Sequence, residues 1–177
     1  MLNVVRIKEE GPEMENAISE AMAVINLYPQ FFPHLAGQGF KLKKYFNKEH
    51  GGVVIQEGVI ITFEKSKNNT KVARKTIARK KKGDMILHQI ASDRKIPGAT
   101  QKVFQEFVKY CKEKHCENII LSVRTENINA KKFYEKNGFE LVDCNPEMWH
   151  GKKEGYISGS VYKLKLIADK NIETLCT

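Results

Sequence analysis

No stretch of this 177-residue chain approaches the roughly 18 consecutive apolar residues that a membrane-spanning helix needs. The opening M-L-N-V-V-R-I-K is too short and too charged to read as a secretory leader. Cysteine is scarce. Cys111, Cys116, Cys144 and Cys176 show neither a C-x-x-C pair nor a Cys/His ligand spacing, so no zinc site and no disulfide framework is indicated. A reducing cytoplasm, no bound metal and no membrane are therefore the expected setting. There is a single Trp, and neither a helix-turn-helix pattern nor an aromatic-interleaved RNA-binding motif. At 41% hydrophobic, the chain can bury one sizeable core.

Acidic residues are missing from one place in particular. The chain carries 30 Lys and Arg against 21 Asp and Glu, a formal charge of +9. The excess concentrates between Lys65 and Lys82, where Lys65, Lys67, Lys71, Arg74, Lys75, Arg79, Lys80, Lys81 and Lys82 meet no carboxylate. Such a run attracts polyanions and releases counterions from each phosphate it neutralises. The plainer reading is a solvated edge whose lysines discourage strand pairing. Its pattern K-V-A-R-K-T-I-A-R-K suits a protruding hairpin, an extended ribbon or a mobile loop.

Periodicity orders the rest. Leu2–Ile7 reads as a first strand. Glu13–Leu27 has apolar Ile18, Ala21, Met22 and Ile25 at helical spacing and stops before Pro29. Phe31–Phe46 is a weaker helical candidate, and Gly51-Gly52 breaks the chain. Strands follow at Val53–Gln56 and Val59–Glu64, joined by Glu57-Gly58, a tight hairpin signal. Met85–Ala91 is the next strand, on which alternation puts His88 and Gln89 on opposite faces. A helix from about Thr100 to Lys114 precedes the buried strand Ile119–Val123. Asn127 then caps a helix with Ala130, Phe133 and Tyr134 on one face, and Asn137-Gly138 ends it. Phe139, Leu141 and Val142 restart an extended segment. Cys144–Gly155, holding Trp149 and His150, reads as a connection to a last strand at Tyr156–Leu166.

The string N-I-N-A-K-K-F-Y-E-K-N-G-F, Asn127 to Phe139, resembles the acyl-CoA end of the GCN5-related N-acetyltransferase (GNAT) superfamily. That family's pattern N-x-x-A-x-x-x-Y-x-x-x-G-F is matched by Asn127, Ala130, Tyr134, Gly138 and Phe139. The order of elements is similar to the family's along almost the whole chain. The resemblance implies an α/β (α+β) fold with a central mixed, mostly antiparallel sheet of about seven strands. That sheet would splay between strands 4 and 5 and carry helices on both faces. One domain would span residues 1–167, with the basic insertion at 65–82, followed by a short polar tail at 168–177. As a monomer or homodimer, the protein would transfer an acetyl group from acetyl-CoA to an amine in a direct ternary complex.

Site residues follow from the same resemblance. The family's pyrophosphate loop Q/R-x-x-G-x-G/A corresponds here to S-D-R-K-I-P-G-A-T-Q, with Lys95 at the basic position, Gly98 at the first glycine and Thr100 at the last small residue. Starting from Arg94 would put Pro97 at the glycine and remove an N–H donor. Backbone N–H groups of Gly98, Ala99 and Thr100 at a helix N-terminus would hold the pyrophosphate. Backbone groups near Ile90 and Ser92 would pair with the pantetheine arm, and a backbone N–H of that strand would hold the oxyanion. Asn127 would touch the cofactor. Tyr134 matches the tyrosine that protonates the departing thiolate, its alternative being a plain core residue. For the amine's proton the sequence offers His88 or Glu64, with Glu57 and a water relay still open. Phage-type DNA-modifying acyltransferases also resemble GNAT proteins with degenerate loops. A DNA-, tRNA- or ribosome-directed enzyme using Lys71, Arg74, Lys75, Arg79, Lys80, Lys81 and Lys82 is thus the second expectation.

Overall fold

The computed structural model describes residues 1–35, 37–46, 51–73, 75–151 and 154–166. Arg74 of the basic run and the expected tail at 168–177 lie outside these. In chain order the elements are β1 (Val4–Val5), α1 (Pro12–Ile25), a 3-10 turn (Gly39–Leu42), α2 (Lys43–Phe46), β2 (Gly51–Gln56), β3 (Val59–Lys65), β4 (Thr70–Lys71), β5 (Arg79–Lys80), β6 (Met85–Ser92), α3 (Ala99–Glu113), β7 (Asn118–Arg124), α4 (Ile128–Lys136), β8 (Glu140–Gly151) and β9 (Gly155–Lys165). The class is the expected one: a seven-stranded, mostly antiparallel sheet with helices, and a separate two-stranded ribbon. The chain falls into two compact units.

The first unit comprises residues 1–65 and 86–110 and orders its strands β1-β2-β3-β6. Helix α1 opens on Pro12, where the missing N–H costs nothing, and Glu13 and Glu15 face the positive end of its dipole. Its buried face of Met14, Ala21, Met22 and Ile25 packs with Leu35, Leu42, Phe46, Val53 and Ile60. The helix expected over Phe31–Phe46 is mostly absent: only Gly39–Leu42 and Lys43–Phe46 coil. Pro33 disfavours helical backbone at Phe32, and Gly37 takes a left-handed φ of 66°. The β2–β3 turn forms as expected, with Glu57 at φ 52° and Gly58 at φ 70°, the two-residue geometry that matches strand twist. Phe63, opposite in face to Ile60, packs on Phe107 and Tyr110 of α3, with ring centroids 5.1 and 5.6 Å away.

The second unit comprises residues 66–85 and the chain from Cys111. Strand β9 lies between β7 and β8, pairing antiparallel with both. Helix α4 starts where expected, because the Asn127 side chain accepts the Ala130 N–H at 3.2 Å. It ends in paired reverse bonds, Gly138 N–H to Glu135 C=O (3.0 Å) and Phe139 N–H to Tyr134 C=O (3.1 Å). This Schellman closure needs the left-handed backbone that Gly138 supplies at φ 83°.

One expectation is corrected here. Cys144–Gly155 is not a connection, because β8 continues through it to Gly151 and pairs Trp149 with Ile157 and His150 with Tyr156. Register shifts at Leu141/Asp143 and Asn145/Trp149 break the period-2 pattern and leave Pro146 outside the ladder. The basic segment takes the hairpin form among its expected alternatives: Thr70 pairs with Lys80 and Lys71 with Arg79. The base of that ribbon is tied by Ser66 N–H to Asp84 C=O and Gly83 N–H to Ser66 C=O.

Replacing Gly138 by Ala forces a β-carbon onto left-handed backbone. The expected cost is about 1 kcal/mol, read as a lower urea midpoint with the m-value unchanged.

Candidate functional site

On β6, the expected opposition of His88 and Gln89 does not occur. Thr62 and Glu64 lie two residues apart on β3, hence on one face. The Thr62 hydroxyl bonds to Gln89 Oε1, and His88 Nε2 lies 3.0 Å from Glu64 Oε1. Two consecutive β6 side chains therefore engage the same face of β3, an irregularity of the kind a β-bulge produces and one that recurs beside active sites. The two alternative bases of the sequence reading are thus one hydrogen-bonded pair. Tyr45 of α2 covers it, with its ring 5.1 Å from that of His88. Burial pushes the Tyr45 phenol up to about 12. Tyr45 was not singled out by sequence, since its helix is one turn long and follows a segment of mixed signals.

The end of β6 leads into a turn built from side chain to backbone. Ser92 Oγ accepts the Arg94 N–H at 3.1 Å, and Asp93 Oδ1 accepts the Lys95 N–H at 3.0 Å. The Ser92 carbonyl accepts the Tyr28 hydroxyl at 2.7 Å, a partner that sequence gave no sign of. Arg94 stands at φ 59° and Gly98 at φ 76°. Asp93 also explains Gly58: a β-carbon there would come within 2.3 Å of the Asp93 carboxylate.

Beyond this turn, α3 begins at Ala99. The Gly98 and Thr100 N–H groups donate to nothing among the described residues, whereas the Ala99 N–H bonds to Ile96 C=O at 3.2 Å. A β-carbon at Gly98 would find open space. Lys95 projects from the surface, 3.5 Å from Asp93. Free N–H groups at the positive end of a helix dipole, with an exposed cation nearby, are groups that can hold an anion.

In the second unit, Tyr134 lies on the buried face of α4. Its ring contacts Phe139 and Tyr162 at centroid distances of 5.6 and 6.2 Å. Burial alone holds its phenol above the ordinary range. Tyr134 is buried, and its hydroxyl bonds to nothing among the described residues. Tyr162 donates to Glu135 at 2.8 Å, and burial first, then that carboxylate, pushes it up to about 12.

The ribbon's tip is anchored to β8. Asp143 Oδ2 accepts the Ile77 and Ala78 N–H groups at 2.7 and 2.9 Å, and the Asn145 amide donates to the Lys75 carbonyl at 2.6 Å. Lys75 pairs with Glu147. Among the described residues, Lys71, Arg79, Lys80, Lys81 and Lys82 have no such ion pair.

Residues 93–139 match the acetyltransferase (GNAT) family model, a segment holding both the turn before α3 and the string from Asn127 to Phe139. No curated protein matches the chain. Among solved structures it is similar to a "probable acetyltransferase" from Staphylococcus epidermidis, at TM-score 0.70 and 13% identity over 94% of this chain and 99% of that one. It is similar to the ribosomal-protein-S18-alanine N-acetyltransferase from Escherichia coli at TM-score 0.61 and 14% identity, over 97% and 99%. A third is Naa20 of Chaetomium thermophilum in complex with a bisubstrate analogue, at TM-score 0.63 and 15% identity over 93% and 87%. At these identities the likeness is one of fold.

Tyr45 and Tyr162, both near 12 when folded, stand above the ~10 of an exposed phenol. The unfolded chain then binds fewer protons than the folded one, so stability falls as pH rises from about 10 towards 12. Denaturation midpoints measured across that window should decline, and less steeply in Tyr45→Phe.

Proposed function

From a chain that belongs to the GNAT superfamily, we propose an N-acyltransferase that moves the acetyl group of acetyl-CoA to an amine in a single ternary complex in the cytoplasm. The observation that carries this reading is the family match over 93–139, a segment with free Gly98 and Thr100 N–H groups at one end and the Asn127–Phe139 string at the other. The cosubstrate supplies the activated thioester, and this chain's residues do the rest.

Gly98 and Thr100 offer free N–H groups to the diphosphate, Ala99 lies between them with its own N–H bonded to Ile96, and Lys95 adds charge. Ile90 offers its backbone along β6, while the Ser92 carbonyl already serves Tyr28. Asn127 spends its side-chain oxygen on the α4 cap, which leaves its amide group for a ligand. His88 takes the amine's proton, and Glu64, 3.0 Å away, stabilises the imidazolium that results. Neither residue need be chosen over the other, because the contact makes them one device. Tyr134 keeps its proton at every physiological pH, since burial raises its pKa. Its hydroxyl donates a hydrogen bond to the developing thiolate.

Titration calorimetry with acetyl-CoA tests the foundation: one site per chain is expected, and the absence of heat removes the reading. Acceptors are then screened by release of the CoA thiol, with small amines and an alanine-terminated peptide in the panel. Tyr134→Phe should lower kcat by about 10²-fold and leave the KM for acetyl-CoA nearly unchanged. His88→Ala should lower kcat comparably, whereas Glu64→Gln should do so less.

A further inference from the structure

The charges of the β4–β5 ribbon do not serve its own stability. Lys71 lies directly across from Arg79, and like charges in that position repel. The side chains of Lys71, Arg79, Lys80, Lys81 and Lys82 form no ion pair among the described residues, and Asp84 Oδ2 meets only the Lys81 backbone N–H, at 2.7 Å. The acids that do reach the ribbon hold its frame: Asp143 binds two tip N–H groups, and Glu147 takes only Lys75. The result is a fixed row of unneutralised cations rather than a trailing chain.

At the ribbon's tip, Lys75 meets an exposed aromatic ring. Tyr156 of β9 is 60% exposed. Lys75 lies 4.6 Å from its centroid, and His150 meets it edge-on at 5.2 Å. Bulk and charge thus converge from two hairpins distant in sequence. An acidic protein surface would use the cations alone, whereas single-stranded nucleic acid uses both. Its phosphates follow a basic track while an unpaired base stacks on an aromatic face.

We propose that the β4–β5 ribbon, together with Tyr156, binds single-stranded nucleic acid. The surface is independent of acetyl transfer, and the test is run without acetyl-CoA. Fluorescein-labelled RNA and DNA strands of one mixed sequence are titrated separately against the full chain, and anisotropy is followed over a range of salt. Binding on the order of 10⁻⁵ M near physiological salt is expected, with log K falling against log salt at a slope of about −3, as for about four neutralised phosphates. The triple change K80Q/K81Q/K82Q should flatten that slope by about two. Tyr156→Ala should weaken binding about tenfold at unchanged slope, and Tyr156→Phe should restore it. These outcomes support the proposal, and the tighter strand names the sugar. Equal affinity for the annealed duplex, indifference to Tyr156→Ala, or no binding to either strand would overturn it. Melting temperatures of the variants establish that each is folded.

Discussion

The closure of α4 is the constraint from which the second unit takes its form. Gly138 turns the backbone left-handed, so the N–H groups of Gly138 and Phe139 reach back to Glu135 and Tyr134. The same turn lays the Phe139 ring against Tyr134, the apolar contact that usually accompanies this type of cap. Tyr134 is thereby fixed at both its backbone and its ring. Tyr162 of β9 then packs on it and donates to Glu135 of the same helix. The spacing Y-x-x-x-G-F is therefore a statement of helix termination before it is one of chemistry. A tyrosine held so firmly is also one whose proton can be aimed.

The first unit solves a different problem, that of keeping polar groups inside an apolar sandwich. Thr62, Gln89, Glu64 and His88 come from adjoining strands and satisfy one another. Unpaired, each would cost on the order of 1–3 kcal/mol to bury. Pairing permits a carboxylate and an imidazole to sit half-buried beneath Tyr45, and it makes proton transfer between the two possible without solvent rearrangement. The turn after β6 follows the same economy. Asp93 and Ser92 bind their own backbone nearby, so the turn's Arg94 and Lys95 N–H groups are satisfied within it.

The anchoring of the basic ribbon shows how charge and position are separated. Asp143 and Asn145 bind its backbone and so position the ribbon without neutralising its run of lysines. A carboxylate bonded to backbone N–H groups has its charge balanced by dipoles and leaves nearby cations available.

Much of the fold was legible in the order of residues, wherever the signal was local. The Glu57-Gly58 turn, the Asn127 cap and the Gly138 stop each depend on neighbours within five positions, and each formed as read. The helix proposed for Phe31–Phe46 failed because Pro33 and Gly37 outweigh its apolar spacing. The continuation of β8 through Pro146 was hidden because bulges abolish the alternation by which strands are recognised. Residue identities likewise nominated His88 and Glu64, but as rivals. Whether two side chains meet depends on strand register and on a break in alternation, and neither is encoded within either strand alone. The same holds for Tyr156 beside Lys75: sequence supplied the basic run and the ring, 81 positions apart, and pairing of hairpins decided that they are neighbours.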